Sequence, residues 1–334
     1  MTTEDSRSIW PAAPWMILPV APFFVAVVLL NLIGGDAFNL ANAATGDSFV
    51  GLPESAGMGR DMIVYAAFAL VQISVCVALL AVSIRALSAA PPAARVAGRS
   101  VAVALTILIV GAIAVEQLMF GQAATMTYHN TCEILLKGQG APHVTPTPVA
   151  GLLPTDCMGD ISRLAWLVYL PFGLGLLASG FASAATARAA FPIKGDNWRR
   201  AFEDEVAAHQ VSVYLTAAVL VTSTAAMLQF YRLPLETLPK GDLRDGVAAY
   251  ASGMAFFWGA VFTLTLAAIY TPAALALRRN LRSRMAQEET VAEWASDIEF
   301  LKLRRQIGAA AAVLGPLLVG PAGALLQSLT GIGG

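Results

Sequence analysis

The residue best placed to do chemistry is a single carboxylate inside an apolar segment. Glu116 lies in the run VAVALTILIVGAIAVEQLMF, residues 101–120, which contains no other charge. A charged side chain at the centre of a membrane helix costs about 3 kcal/mol on insertion scales unless it pairs or reaches water. Glu116, with Gln117 beside it, is therefore a candidate contact for a proton, a cation or a substrate. The predicted outer boundary follows at Phe120, so the alternative is that Glu116 simply reaches the water there.

A second polar side chain lies near the middle of another apolar segment. Gln72 falls within a run predicted to span the membrane, 62–84, and its amide is suited to hydrogen bonds across helices. Such bonds serve a transport path or merely hold helices together, and both interpretations stay open. The same holds for hydroxyl side chains in two later apolar runs, because Ser and Thr also bond to their own helix carbonyls. These hydroxyls are Thr216, Thr222, Ser223, Thr224, Thr263 and Thr265.

Two of the three cysteines, Cys132 and Cys157, share one polar loop, 121–162. Cysteines in an oxidising compartment tend to pair. Closing the 24 residues between them would stabilise the fold by about 3 kcal/mol. His129 and His143 in the same loop allow a metal interpretation, but their spacing matches no standard zinc pattern. We therefore predict a disulfide and no metal site.

The apolar runs lack the residues that several kinds of cofactor and catalytic chemistry require. None of the three histidines lies well within a predicted span, which argues against a bis-histidine haem in the membrane. The four lysines lie in loops or in the tail, so no buried Schiff-base lysine is predicted. The GxxxxGK[ST], HExxH and GxSxG motifs are absent. We predict no cofactor, and no feature of the sequence predicts an enzyme.

Membrane helices are the predicted secondary structure that holds these residues. The chain has 334 residues, of which 57% are hydrophobic and 13% charged, and its mean hydropathy is +0.66. Soluble domains carry about 25% charged residues, so much of this surface must face something other than water. Apolar runs of about 20 residues cross the hydrocarbon core as helices and are too long for barrel strands of about 10 residues. The sequence thus predicts an all-α integral membrane protein, and the net charge of −1 does not favour nucleic acid as a partner.

Six apolar runs predict a bundle of six transmembrane helices within residues 1–278. The predicted spans are 15–33, 62–84, 100–120, 163–187, 209–231 and 246–276. We expect the fifth to continue a polar helix that begins near Asp196, and Pro272 to kink the sixth. Small residues in the fourth span allow close packing within the chain or against a second copy of it. A signal peptide cleaved after Ala43 is the alternative to a retained first span.

The basic residues predict the orientation of the bundle. With a cytoplasmic N-terminus, 15 lysines and arginines lie inside and six outside. The positive-inside rule therefore predicts that the N-terminus is cytoplasmic and that the loop 121–162 lies outside. The predicted location is a bacterial-type cytoplasmic membrane.

The chain after the sixth span divides into two further segments. Residues 279–306 predict a cytoplasmic amphipathic helix whose apolar stripe includes Trp294. We expect Trp294 to contact a partner protein, a second copy of the chain or the bilayer, with anionic lipid bound by nearby arginines. These arginines are Arg278, Arg279, Arg282 and Arg284. Residues 307–334 are apolar but broken by Gly-Pro pairs, so we expect a re-entrant or interfacial hairpin rather than a seventh span.

Two functions are consistent with this organisation. The polar groups within the spans, Glu116 and Gln72 first, favour a channel, a pore or another transport component. The alternative is a sensor or assembly protein, in which the disulfide-closed loop passes a signal through the tail helix to a cytoplasmic partner.

Overall fold

The computed structural model describes residues 12–33, 56–119, 131, 162–193, 197–285, 314–316 and 318–319, and it contains no β-strand within them. Its helices are α1 (Ala13–Ile17), α2 (Ala21–Ile33), α3 (Ala56–Ala89), α4 (Pro92–Met119), α5 (Ser162–Thr186), α6 (Trp198–Arg232) and α7 (Asp242–Met285). Short 3-10 turns, Ala187–Ala190 and Leu233–Thr237, follow α5 and α6. The predicted all-helical class is thus observed throughout the described residues.

Four helical segments of the described chain are long and apolar enough to cross a membrane. They are Ile63–Ala89, Leu170–Ala190, Trp198–Leu235 and Asp242–Met285. Large apolar side chains on their outer faces, such as Leu70, Leu264 and Leu275, are exposed. Apolar side chains exposed on several long helices are suited to hydrocarbon rather than water. The chain is therefore that of a helical membrane protein.

The first predicted span, 15–33, is divided in the structure. Helix α1 ends at Ile17 and α2 begins at Ala21, because Pro19 and Pro22 have no backbone N–H for a continuous hydrogen-bond ladder. Helix α2 has 13 residues, fewer than the roughly 20 that cross the hydrocarbon core. The expectation of one uninterrupted first span is therefore corrected to two short helices.

The other predicted spans each coincide with one long helix. Helix α6 begins at Trp198 with Asn197 as its N-cap, slightly after the predicted start at Asp196. Helix α7 passes through Pro272 and continues to Met285, so the charged segment after the sixth span begins as part of the same helix. The side chains of 112–119 in α4 lie outside the described set. A total of six spans therefore stays a prediction.

Successive long helices run in opposite directions, so that the end of one lies beside the start of the next on the same face of the bundle. The Arg188 side chain bonds to the Ala86 carbonyl near the end of α3, and Asn280 of α7 bonds to the Ala189 carbonyl after α5. We call this face the basic end, because ten arginines belong to its helix ends and turns. They are Arg85, Arg95, Arg99, Arg188, Arg199, Arg200, Arg278, Arg279, Arg282 and Arg284.

Small residues let the helices approach closely. A Cβ atom at Gly98 of α4 would stand 2.5 Å from Leu87 Cδ2 and 3.1 Å from the Ala184 carbonyl oxygen. Ala178 and Ala182 of α5 are fully buried in a seam with α3 and α6. Backbone proximity of this kind is how membrane helices gain packing energy without a hydrophobic driving force.

The C-terminal segment is described at only a few positions. A Cβ atom at Gly315 would stand 3.0 Å from Val221 Cγ2, so this part of the tail lies against the middle of α6. Leu314 and Leu318 beside it are exposed, as lipid-facing residues would be. Whether the tail forms a hairpin stays a prediction.

Candidate functional site

An ion pair at the basic end joins three elements. Arg188, in the 3-10 turn after α5, places its Nε 2.8 Å from Glu205 Oε1 on α6. Its Nη1 donates a 2.8 Å hydrogen bond to the Ala86 carbonyl in the last turn of α3. Carbonyls in the last turn of a helix have no donor within that helix. The two charged side chains are 14% and 18% exposed, so the pair is largely sheltered from water.

A small cavity lined by both polar and apolar side chains lies beside this ion pair, between α3, the end of α5 and α6. Its volume is about 20 Å³, which suffices for one water molecule. The Ser83 side chain is buried, and within the described part of the chain its Oγ has no hydrogen-bond partner. Leaving a buried hydroxyl unpaired costs about 1–3 kcal/mol, so this cavity favours a bound water. Its polar lining is formed by Ser83, Thr186, Arg188, Glu205, His209 and Ser212.

A buried tyrosine links the cavity lining to α7. The Tyr270 hydroxyl lies 2.7 Å from Ser212 Oγ and 2.6 Å from Thr216 Oγ1. It also donates a 2.8 Å hydrogen bond to the Ser212 carbonyl. Because a phenol has one proton and a carbonyl can only accept, both side-chain hydroxyls then donate to the phenol oxygen. Ser212 thus connects the cavity to α7, since it lines the cavity and also bonds to Tyr270.

Other hydroxyls in α6 and α7 bond to their own helix instead. Thr222, Ser223, Thr224 and Thr265 each donate to the carbonyl four residues earlier. This is the alternative that the sequence left open for such residues. Ser212 and Thr216 differ because their hydroxyls donate to a side chain of another helix, that of Tyr270.

His209 completes the polar face of α6. Its ring is buried and meets the Tyr270 ring edge-on, with the ring centroids 5.4 Å apart. Glu205, His209, Ser212 and Thr216 follow at spacings of three or four residues, so they share one face of the helix. At about 1.5 Å per residue, this face extends about 16 Å into the bundle.

A second polar contact lies further along the bundle. Gln72 of α3 is buried, and its Nε2 donates to Ser223 Oγ at 2.7 Å and to the Pro171 carbonyl at 3.0 Å. Gly175 lies beside the amide, and a Cβ there would stand at an ordinary contact distance of 3.5 Å from Gln72 Nε2. One side chain therefore joins α3, α5 and α6.

An apolar layer separates the two polar contacts. Five residues with 0% exposure form it, namely Cys76, Leu79, Ala178, Ala182 and Val219. On α6, Val219 lies between Thr216 and Ser223 in sequence. Because apolar interiors pack densely and leave little room for water, this layer closes the bundle between the polar contacts.

Several residues predicted to be functional cannot be placed in this site. Glu116 and Gln117 lie three and two residues before the end of α4 at Met119, away from the basic end. Their side chains lie outside the described set. The predicted disulfide of Cys132 and Cys157, and the tail residue Trp294, also lie outside the described residues.

The arginines predicted to contact lipid or a partner divide into two groups. Arg278, Arg279 and Arg282 are exposed at the end of α7. Arg284 instead donates a 3.2 Å hydrogen bond to the Ile193 carbonyl, and its guanidinium lies 5.4 Å from the centroid of the Trp198 ring. Asn280 bonds to two carbonyls of the same connection. Arg284 therefore fixes the end of α7 against the α5–α6 connection.

The sequence did not point to Arg188, Glu205, His209 and Tyr270. The first two fall outside the predicted spans, and the histidine stands at a predicted boundary. The spacing of polar side chains along α6 was a usable signal. The tyrosine gave no such signal, because its partners Ser212 and Thr216 are 58 and 54 residues earlier.

The described residues of the site form no metal-binding cluster, and comparison with known proteins identifies no family for the chain. Among the described residues, no group of three or more His, Cys, Asp or Glu is placed to hold a metal ion. No protein-family model, curated protein or solved structure matches the chain.

Proposed function

We propose that the protein is a channel or transporter of a bacterial-type cytoplasmic membrane. The observation that carries this proposal is the distribution of buried polar groups along α6. The face from Glu205 to Thr216 begins at a cavity at the basic end, and Ser223 bonds to Gln72 beyond the apolar layer. Polar groups inside a membrane are costly and mark paths for ions or solutes. The apolar layer acts as a gate, which is shut in this arrangement.

The charge distribution supports an orientation with the basic end in the cytoplasm. The opposite ends of the described helices and turns carry fewer basic residues, namely Arg60, Arg163, Arg232, Lys240 and Arg244. The positive-inside rule places the side with more arginines in the cytoplasm. Trp15 of α1 packs in one cluster with Trp198 and Leu277 at the basic end, which supports a cytoplasmic N-terminus.

We include α4 and the α1–α2 pair in the transmembrane bundle, which makes six spans. Helix α4 has 28 residues, about 42 Å at 1.5 Å per residue, which exceeds the roughly 30 Å of the hydrocarbon core. The Phe23 ring of α2 lies 6.2 Å from the Phe262 ring in the middle of α7, so α2 extends from the basic end into the bundle. The α1–α2 pair therefore acts as the first crossing despite its break.

Glu116 and Gln117 are assigned to the outer end of the path. Their position near the end of α4, away from the basic end, supports this assignment. A carboxylate at that depth would attract cations or accept a proton. The loop 121–162, closed by a Cys132–Cys157 disulfide, would cover this outer end.

Flux into proteoliposomes tests the proposal. The purified chain is reconstituted, and movement of H⁺, K⁺, Cl⁻ and glycerol is compared with protein-free liposomes of the same lipid. We expect protein-dependent flux of at least one probe. Glu116→Gln should reduce that flux, whereas Glu203→Gln, an exposed acid near the start of α6, should leave it unchanged.

The outcomes separate transport from the alternative function. If a folded, monodisperse preparation moves none of the four probes, transport is contradicted and the sensor or assembly hypothesis takes its place. That hypothesis requires removal of the residues after Met285 to abolish partner binding while the helices still insert. If flux is present but Glu116→Gln leaves it unchanged, transport stands and Glu116 loses its role.

A further inference from the structure

We propose that Ser212, Tyr270 and Thr216 form a proton path that opens to the cytoplasm through the cavity at the basic end. This inference rests on the proposed transport function and names the species that the path carries. A proton path needs neighbouring groups that can each accept one hydrogen bond and donate another. Hydroxyl groups and water meet this requirement, and the site contains three such hydroxyls in contact.

The entrance of the path is the cavity itself. It has room for one water, and Ser83 and Ser212 both line it. Because the buried Ser83 Oγ has no other partner in the described residues, it would hold that water in place. The charged and titratable groups at the entrance are Arg188 in the 3-10 turn and Glu205 and His209 on α6. Helix α3 lines the cavity with uncharged residues alone, and α7 contributes Tyr270 behind Ser212.

The transfer conserves one proton at every step. A proton from the cavity water bonds to Ser212 Oγ, and the proton that Ser212 held passes to the Tyr270 oxygen. The Tyr270 O–H bond then turns from the Ser212 carbonyl, 2.8 Å away, to Thr216 Oγ1, 2.6 Å away. Thr216 turns its hydroxyl away from the phenol, accepts the Tyr270 proton at Oγ1, and releases its own proton when the apolar layer opens and admits a water that can accept it. One proton enters, one leaves, and rotation of the hydroxyls restores the chain.

The dimensions of the path favour a proton over any larger species. The cavity holds about one water, and Thr216 beyond it is fully buried. A solute would need continuous space past Tyr270, whereas a proton passes by exchange of hydrogen bonds. The other α6 hydroxyls are unsuited, since Thr222 and Thr224 bond to carbonyls of their own helix.

The test is proton flux into proteoliposomes loaded with a pH-sensitive dye, with K⁺ and valinomycin to clamp the voltage. Tyr270→Phe keeps the ring and removes the relay hydroxyl, and it should reduce protein-dependent proton flux about tenfold or more. Tyr214→Phe is the matched control, because Tyr214 lies on the same helix as Ser212 but is exposed. Thr216→Val should reproduce the loss, and Thr222→Val should not.

Each outcome decides the inference. Wild-type proton flux that survives both Tyr270→Phe and Thr216→Val, in variants with wild-type thermal stability, overturns the path. If K⁺, Cl⁻ or glycerol crosses but protons do not, the proton path is wrong and the transport function stands. If no probe crosses, both proposals are contradicted. Loss of proton flux in both variants, with both controls unchanged, supports the path.

Discussion

Ser212 Oγ and the Tyr270 hydroxyl lie 2.7 Å apart, and this contact joins a water-sized cavity to the interior of the bundle. It also fixes the rotation of α6 relative to α7, because the phenol is held by Thr216 one turn further on. Each of the three buried hydroxyls donates one hydrogen bond, the phenol to the Ser212 carbonyl and the other two to the phenol oxygen. The same contacts thus stabilise the helix pair, and in our proposal they also form the route for protons.

The Arg188–Glu205 ion pair should stabilise the basic end. Arg188→Gln removes the charge and weakens the bond to the Ala86 carbonyl. The pair is neither fully exposed nor fully buried, so we expect a loss of about 2 kcal/mol, between the values for surface and buried pairs. Thermal unfolding in detergent measures this loss. Arg282→Gln, which changes an exposed arginine, should have little effect, and equal destabilisation by both variants would contradict the role of the ion pair.

Gln72 should contribute a modest stabilisation by joining three helices. Gln72→Leu keeps much of the volume but removes the donors to Ser223 and Pro171. Ser223 retains its bond to the Val219 carbonyl, so the cost should be about 1 kcal/mol, as for hydrogen bonds between membrane helices. Ser74→Ala, an exposed side chain bonded to its own helix, is the control. A loss no greater than that of the control would show that the Gln72 bonds contribute nothing.

Gly98 should accept an added Cβ only at a cost, because the Ala184 carbonyl oxygen beside it belongs to the backbone and cannot swing away as the end of the Leu87 side chain can. The added Cβ of Gly98→Ala would press on the Leu87 side chain and on the Ala184 carbonyl oxygen, and overpacking of this kind costs about 1–3 kcal/mol. Gly111→Ala in the same helix meets nothing within 4 Å among the residues that the structure describes and should be neutral or stabilising. The unfolding midpoints of the two variants give the comparison, and a Gly98→Ala protein as stable as Gly111→Ala would refute the close approach of α4.

Thiol titration tests the predicted disulfide. Cys76 is buried and should resist alkylation in the folded protein. After denaturation without reductant we expect one reactive thiol, and all three of the cysteines in the chain should react after reduction. Three reactive thiols before reduction would exclude the Cys132–Cys157 bond.

The sequence predicted the long helices well because hydrophobicity is a local property of the chain. The apolar runs behind α3, α5, α6 and α7 are visible without any knowledge of their partners. The break in the first span was harder to predict. Pro19 and Pro22 are plain in the sequence, but whether a helix continues past prolines depends on what its neighbours supply.

The candidate site was predicted only in part, because it depends on which helix faces meet. Gln72 was identified from its polarity. Its partner Ser223 is 151 residues away, and no sequence pattern around Ser223 indicates the contact. Arg188 was counted as a loop charge that sets orientation. Its pairing with Glu205 follows from the rotation of α6, which hydropathy does not reveal.

Proteoliposome flux for Val219→Ala and Val211→Ala tests the gated path along α6 most directly. Both variants make the same change on α6, but Val219 is 0% exposed within the apolar layer and Val211 is 47% exposed on the outer face. If the layer is the gate, Val219→Ala should raise flux of the transported species above wild type, and Val211→Ala should match wild type. Equal flux from the two folded variants would contradict a gated path along α6.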